Sequence, residues 1–217
     1  MTATPEAISS RPLGPRVRRL HARIGAAHRR AEGMAFSRAL LEGRLEPLQL
    51  AALLRALLPA YALLEAEGPA LTAALGAPEF PWGSVGRSAA LRHDIARLAA
   101  AGLPPTPPSA AAALWLEQLH SLARQAPHRF LAHGYVRYGG DLSGGQQLAA
   151  KANAILAARG IDSLEFWQFA GPCQEIKQSL HAAFEQLELS DGEEDELLQE
   201  SESAFHATQR LLAELAA

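Results

Sequence analysis

The sequence predicts an all-α protein with a single main domain, and three observations lead to this prediction. Alanine, leucine, glutamate, glutamine and arginine dominate the 217 residues, whereas valine, isoleucine, threonine and the aromatic residues are scarce. Such a composition favours helices over strands. Apolar side chains recur at helical spacing, and no alternating strand pattern bounded by turn residues is found. A chain of this length is long enough for one substantial core.

Proline, glycine and serine indicate where the helices begin and end. Proline is favoured in the first turn of a helix, serine is favoured as the cap before the first turn, and glycine is favoured just after the last turn. Residues 1–14 contain Pro5, Pro12 and Gly14 with few apolar side chains, so we expect a flexible arm before a helical domain of residues 15–217. The predicted helices of the first half cover residues 15 to beyond 28, 35–41, 47–68 with a bend near 59, and 88–101.

The second half of the chain has equally clear signals. A proline-rich connector at 103–108 precedes Ser109, which is a good cap, and Ser190 with Glu193 has the S-x-x-E pattern of a capping box. The predicted helices cover residues 110–123, 127–158 with glycines inside, 172–187, and 190 to the end of the chain. The whole chain then has eight or nine helices.

Charge and cysteine content narrow the classes of function. The net charge is −3, with arginines concentrated before residue 45 and an acidic run at 193–196. Solvated helix faces account for most of these charges, although the arginines are also suited to meet an acidic redox partner. Nucleic acid is not expected as a partner, because aromatic residues are not interleaved with the basic ones. Cys173 is the single cysteine, so an intramolecular disulfide and a multi-thiolate metal site are excluded.

The most informative segment is residues 135–146, which read Y-V-R-Y-G-G-D-L-S-G-G-Q. Each glycine inside a helix costs about 1 kcal/mol relative to alanine, and four of them lie here within an otherwise helical pattern. Two interpretations are open. The segment is a loop between two helices, or it is a helix that something approaches closely or that must bend.

Part of this segment, L-S-G-G-Q at 142–146, is also the signature of ABC-transporter ATPases. Such an ATPase needs a G-x-x-x-x-G-K-[ST] loop to hold the phosphates. The chain has only two lysines, Lys151 and Lys177, and neither lies in such a loop. A nucleotide site of this kind is therefore excluded.

His28 is a candidate metal ligand on the first helix. Glu32 follows four residues later on the same face, where it can accept a hydrogen bond from the second ring nitrogen of the histidine. An acceptor there fixes the tautomer of a metal-binding imidazole. The alternative is a surface histidine beside a solvated glutamate.

Taken together, these segments resemble the haem oxygenase family of the biliverdin-producing type. A-A-H-R-R-A-E at 26–32 is similar to the family's axial-histidine segment, Y-A-L-L-E at 61–65 to the helix that follows, and R-Y-G-G-D-L-S-G-G-Q at 137–146 to its distal-helix signature. The resemblance extends over about residues 15–215. It implies a helical fold in which haem b, both cofactor and substrate, lies between a proximal helix and a kinked, glycine-rich distal helix.

The resemblance also implies roles for individual residues. His28 would be the axial ligand of the haem iron, and Glu32 its orienting partner. Asp141 would anchor waters that deliver a proton to iron-bound dioxygen. The glycines that would lie over the distal face of the ring are Gly140, Gly144 and Gly145.

The haem propionates need cationic or hydroxyl partners. Tyr135 and Lys177 lie where the family supplies such partners, whereas His181 stands where an arginine is more usual. His21 and Gly25 also depart from the family, since both positions are basic in familiar members. The orientation of haem, and therefore the carbon at which the ring is cut, is not set by the resemblance.

The implied activity is oxidative cleavage of haem to biliverdin, iron and CO with dioxygen. No flavin or nicotinamide fingerprint is present, so an external ferredoxin, flavodoxin or reductase would supply electrons, and a bilin-accepting photoreceptor is a candidate partner. With neither an apolar leader nor a C-terminal anchor in the sequence, we expect a cytoplasmic protein without a membrane anchor. Two alternatives are a protein that stores or transfers haem without degrading it and a di-iron oxidase, which would require several Glu and His ligands on facing helices.

Overall fold

A computed structural model describes residues 12–216, and every regular element within that range is a helix. The predicted all-α class is confirmed. Most of the flexible arm expected at residues 1–14 lies outside the described residues. The helices are α1 Pro15–Glu32, α2 Ala35–Leu41, α3 Pro47–Ala74, α4 Trp82–Val85, α5 Ser88–Ala100, α6 Ala110–Gln125, α7 Pro127–Ser143, α8 Gly145–Ala157, α9 Cys173–Gln186 and α10 Asp191–Leu215.

The helix ends follow the capping residues of the sequence. Pro15 occupies the first turn of α1. The Ser109 hydroxyl accepts a hydrogen bond from the amide of Ala112 at 3.0 Å at the start of α6. Ser190 and Glu193 form both halves of the predicted capping box of α10. These short-range predictions are confirmed, because each depends on residues within three positions of one another.

The predicted end of the third helix at Gly68 is wrong. Helix α3 continues through Gly68 and Pro69 to Ala74. A β-carbon placed on Gly68 would lie 2.2 Å from ring atoms of Trp82, so this glycine lets the indole pack directly on the helix backbone. The short helix α4, which carries Trp82, was not predicted from the sequence.

Helix α3 is the central helix of the core, and it packs against α5, α6 and α7. By length and composition it is apolar enough to cross a membrane, and it is the one such helix among residues 12–216. More than half of its most apolar stretch is buried inside the protein. A core helix of a globular protein has the same properties, so the length and composition of α3 do not distinguish the two cases.

Helices α1 and α7 wall the cavity described below, and both pack against α9 and α10. Helix α7 is held on α10 by fully buried His133, whose Nε2 lies 3.0 Å from Oε1 of Glu200. The Trp115 indole donates to Nδ1 of the same histidine at 3.0 Å, and Arg129 donates to Glu200 at 2.6 Å. Burial raises the pKa of Glu200, but the hydrogen bonds from His133 and Arg129 outweigh it and leave that pKa lowered.

Candidate functional site

A cavity of about 320 Å³ lies between α1 and α7. Its two main walls come from the helices that carry the histidine segment and the glycine-rich segment, and α9 and α10 close its sides. Most of the lining is apolar side chains, glycine or aromatic rings, with a cationic group at one side. The lining residues are His21, Ile24, Gly25, His28, Arg29, Tyr135, Val136, Gly139, Gly140, Ser143, Lys177, His181 and Phe205.

His28 lies on the α1 wall with half of its side chain exposed. Its Nδ1 atom lies 3.5 Å from Oε2 of Glu32, which is the arrangement that the sequence spacing predicted. Phe205 of α10 meets the imidazole edge to face, with the ring centroids 5.7 Å apart. The ring is therefore held by a carboxylate on one side and by an aromatic contact on another, while Nε2 is free of the Glu32 contact.

The glycines of the α7 segment separate into two groups. Gly139 and Gly140 line the cavity, and a β-carbon on Gly140 would meet no atom within 4 Å. Gly144 is the boundary residue between α7 and α8. A β-carbon on Gly145 would lie 2.7 Å from Cδ1 of Trp167, so this glycine accommodates an indole of the protein. Of the three glycines expected over the ligand, the structure places only Gly140 on the cavity wall.

Asp141 follows Gly140 and points away from this cavity into a buried hydrogen-bond network. The Tyr61 hydroxyl donates to Oδ2 of Asp141 at 2.5 Å, and Arg137 donates from Nε to the same hydroxyl at 3.0 Å. A guanidinium nitrogen of Arg137 lies 3.6 Å from Oδ1 of Asp141. Burial raises the pKa of Asp141, while the Arg137 charge and the Tyr61 hydrogen bond oppose this shift.

A loop between α8 and α9 closes the far side of this network. Fully buried Asp94 of α5 accepts a hydrogen bond from the amide of Phe166 at 2.8 Å. Phe166 in turn meets the Tyr61 ring edge to face at 5.5 Å. Gln146 donates to the carbonyl of Trp167 at 2.8 Å. The residues around Asp141 are thus positioned by a loop that is itself fastened at several points.

The side of the cavity formed by α9 carries a group of polar rings and one ammonium. The Tyr135 hydroxyl and Nε2 of His21 are hydrogen bonded at 2.9 Å. The His181 ring stacks on Tyr135 with centroids 5.9 Å apart and meets His21 edge to face at 5.6 Å. Burial lowers the pKa of Lys177, and burial followed by the Lys177 and His21 charges lowers the pKa of His181 to about 4.

Sequence reasoning missed several of these residues. Arg137 stands four residues before Asp141, so the helical spacing was a usable signal for that ion pair. Tyr61 lies in the Y-A-L-L-E segment and Phe205 in the last helix, but neither was assigned to the site, which they reach from α3 and α10. Among residues 12–216, no three His, Cys, Asp or Glu side chains gather where they could hold a metal ion.

The sequence is similar to known proteins over most of its length. A family model described as "Heme oxygenase" matches residues 17–214. The "Heme oxygenase" of Rhodella violacea is 30% identical over 110 residues, which are 50% of this chain and 47% of that protein. "Heme oxygenase 2" of Oryctolagus cuniculus is 31% identical over 110 residues, 49% of this chain and 35% of that protein. The matched stretch spans less than half the length of these two curated relatives.

Two solved structures resemble this fold over nearly the whole chain. The haem oxygenase of Leptospira interrogans superposes with a TM-score of 0.83 at 27% identity, covering 93% of this chain and 100% of that one. Heme oxygenase-1 of the cyanobacterium Synechocystis, solved in complex with heme, superposes with a TM-score of 0.82 at 22% identity, covering 93% of this chain and 92% of that one. The likeness extends over nearly all of the described helices.

Proposed function

The chain belongs to the haem oxygenase family, and we propose that it is an enzyme that cleaves haem to biliverdin, iron and CO with dioxygen and externally supplied electrons. The observation that carries the proposal is one cavity with His28 on one wall and Gly140 on the other. Directly behind Gly140 lies the buried carboxyl group of Asp141. A ligand-binding wall and a proton-holding group therefore adjoin on a single helix.

The residues of the cavity fit a flat, largely apolar ligand with a metal at its centre. Nε2 of His28 would bind the haem iron, while Glu32 at 3.5 Å from Nδ1 would set the tautomer and orientation of the ring. Gly140 adds no side chain to the opposite wall, so the ligand can lie against the helix backbone. When bound, haem supplies the iron at which dioxygen is reduced and the ring that is oxidised.

Asp141 would supply the proton that the reaction consumes. Its carboxyl group is held by the Tyr61 hydroxyl and faced by Arg137, so its position is set before any ligand enters. Burial raises its pKa, which brings the carboxyl group closer to neutrality and so makes it better suited to exchange a proton through ordered water. Gly144 and Gly145 would act indirectly, by placing the end of α7 and by making room for Trp167.

Electrons would come from a separate protein, a ferredoxin, flavodoxin or reductase with an acidic surface. Arg19 and Arg30 on α1 each keep 54% of the side chain exposed while they pair with glutamates of α10. Exposed arginines beside the cavity suit docking of an acidic partner more than tight binding. A bilin-accepting photoreceptor as recipient of the product and a cytoplasmic location complete the proposal.

The test is a turnover reaction with product analysis. Purified protein loaded with haem is supplied with ascorbate or a reductase under dioxygen, and we expect the Soret band to disappear as biliverdin forms. The bilin isomer is then identified by chromatography. A Soret band that persists, with haem recovered intact, would instead favour a protein that stores or transfers haem.

Asp141→Ala sharpens this test. Because His28 and the cavity wall are unchanged, we expect haem affinity to stay close to that of the wild type. The rate of biliverdin formation should fall by about 10²-fold or more, because a positioned general acid contributes about 10²–10⁴-fold. The matched control is Asp162→Ala, since Asp162 is an exposed aspartate in the loop that follows α8. A near-normal biliverdin yield from Asp141→Ala would remove Asp141 from the reaction.

A further inference from the structure

One polar atom of the cavity has no partner within the described residues. It is Nε2 of His181, which is buried from solvent and makes no hydrogen bond there. Buried polar groups are nearly always hydrogen bonded to protein, ligand or ordered water, so this atom marks a position in the cavity wall that a polar group can occupy. The rings of His21 and Tyr135 lie beside it, at centroid distances of 5.6 and 5.9 Å.

We propose that His181 takes up a proton when a carboxylate of the porphyrin binds beside the histidine–tyrosine cluster, which is His21, Tyr135 and His181. That a porphyrin carboxylate lies here follows from the proposed function, and the inference rests on that function to this extent. Haem affinity would then depend on pH through this cluster. An arginine in place of His181 would give no such dependence, because arginine is always charged.

The chemistry of the cluster favours an anionic ligand group. The ammonium of Lys177, one helical turn before His181, also lines the cavity and is half-buried. Burial raises the pKa of Tyr135, so its hydroxyl stays protonated and can donate to a ligand when Nε2 of His21 is the donor in the hydrogen bond that the two side chains share. A carboxylate offers acceptors for several donors at once, whereas a neutral apolar edge of the ligand would leave Nε2 of His181 without a partner.

The charges around His181 determine the sign of the pH effect. The cavity side presents Lys177 from α9 and Tyr135 from α7, and from α1 it presents His21, His28 and Arg29. A neighbouring cavity presents Glu175 and Glu185 of α9, and Glu185 is already engaged by two backbone amides at the start of α1, at 3.2 and 2.7 Å. Without a ligand, burial and the nearby positive charges hold the His181 imidazole neutral.

An arriving carboxylate reverses this balance. Burial, Lys177 and His21 lower the pKa of His181 to about 4 in the empty cavity, whereas a carboxylate in contact with the ring raises it. His181 is therefore neutral without the ligand and protonated with it wherever the pH lies between its pKa in the free protein and its pKa in the complex. Binding takes up one proton in that pH window. Affinity rises as pH falls through this window and is lost as pH rises, by up to about tenfold per pH unit for one proton.

The experiment uses iron-free protoporphyrin IX as the probe. Without iron the porphyrin makes no axial bond to His28, so loss of that bond does not contribute to the measured pH dependence. Fluorescence titrations of the wild-type protein from pH 5 to 8.5 should show a dissociation constant that increases by about three- to tenfold per pH unit over part of this range. The dimethyl ester of the same porphyrin, which lacks the carboxylates, should show a flat profile.

Two variants make the test specific for His181. His181→Arg keeps a permanent charge and should bind the diacid with a flat profile and higher affinity than the wild type at pH 8.5. His181→Gln keeps a donor that does not titrate and should bind with a flat profile at lower affinity. A pH dependence that survives in His181→Gln, or that is equal for the ester and the diacid, would overturn the assignment.

A proton count provides an independent readout. Calorimetric binding of the diacid in two buffers of different ionisation enthalpy should reveal proton uptake by the wild type and none by His181→Gln. Binding without proton uptake across pH 5–8.5 would overturn the inference while leaving the proposed enzyme activity intact. If protoporphyrin does not bind at any pH, the inference is overturned. If haem does not bind either, the proposed function is overturned as well.

Discussion

Gly140→Ala tests whether the glycine wall exists for a ligand or for the fold. Gly140 lies within α7 and lines the cavity, and a β-carbon there would meet no atom within 4 Å. Alanine is favoured over glycine inside a helix by about 1 kcal/mol. With no clash to offset this gain, the ligand-free variant should be more stable than the wild type by roughly 0.5–1 kcal/mol, which raises the melting temperature by about 1–4 °C for a chain of this size.

Ligand binding should change in the opposite direction. The added methyl group projects into the space between α7 and α1, where the porphyrin would lie. Overpacking by one such group typically costs about 1–3 kcal/mol. The affinity for haem should therefore fall by roughly 5- to 150-fold, although the protein itself is more stable. A stabilising substitution that reduces binding is difficult to explain unless the empty space is a binding site.

Two other glycines provide matched controls. Gly192, in the first turn of α10, also leaves a β-carbon without a neighbour within 4 Å, but it lies away from the cavity. Gly192→Ala should leave haem affinity unchanged. Gly145→Ala would place its β-carbon 2.7 Å from Trp167, so it should lower the melting temperature through displacement of the indole.

Thermal unfolding followed by circular dichroism gives the stabilities, and haem titration followed by the Soret band gives the affinities. Gly140→Ala and Gly192→Ala should differ in haem binding and not in the direction of their effect on stability. If Gly140→Ala lowers the melting temperature, the helix needs glycine at this position for its own geometry. If haem affinity is unchanged, the Gly140 wall is not in contact with the ligand.

The remaining predictions concern the ligand contacts and the support of α7. His28→Ala should bind haem without a histidine-type ferric spectrum until imidazole is added, and retention of that spectrum without imidazole would contradict the assignment. Lys177→Ala should weaken haem binding by about 1 kcal/mol or alter the ratio of bilin isomers. The effect on binding is small because solvent screens the charge of a half-exposed ammonium. No change in either quantity would exclude Lys177 as a propionate partner. Glu200→Gln should destabilise the protein by roughly 1–3 kcal/mol at pH 7 in urea unfolding. The pKa of Glu200 is lowered from 4.5 in the folded state, so the stabilisation by Glu200 is present above pH 4.5 and is lost as pH falls through the folded-state pKa. The wild type and Glu200→Gln should therefore become more similar in stability below pH 4.5. A stability difference that is constant with pH would contradict this role.

Short-range signals in the sequence predicted most of the fold. Gly43 and Gly102 end helices in the left-handed region, with φ of 70° and 90°, and both ends were placed within about one residue. Gly68 has the same local signal, yet its helix continues, because the residue that requires glycine there is Trp82, fourteen positions away. A glycine that serves close packing and a glycine that ends a helix are indistinguishable until the packing partner is known.

The same limit applies to the candidate site. The histidine, the carboxylate four residues after it and the glycine-rich segment were identified from the sequence, since each is a local motif. The Tyr61 hydrogen bond to Asp141 joins residues 80 positions apart, and the partner of Gly145 is Trp167 in a loop beyond α8. Contacts of this kind depend on how the helices pack, and helical periodicity identifies which face is buried but not what it meets.

Helix α7 must leave room for a ligand and must also remain a stable helix. Its second half has glycine on the cavity side, and glycine weakens a helix. Because successive residues of a helix lie about 100° apart, Asp141 faces the buried network and not the cavity. Its first half carries no such requirement and is fastened to α10 by the buried His133–Glu200 contact. The anchored first half therefore holds in place a second half that is intrinsically less stable. Weakening Glu200 should consequently affect not only global stability but also the position of Gly140 relative to His28, which the haem affinity of Glu200→Gln would detect.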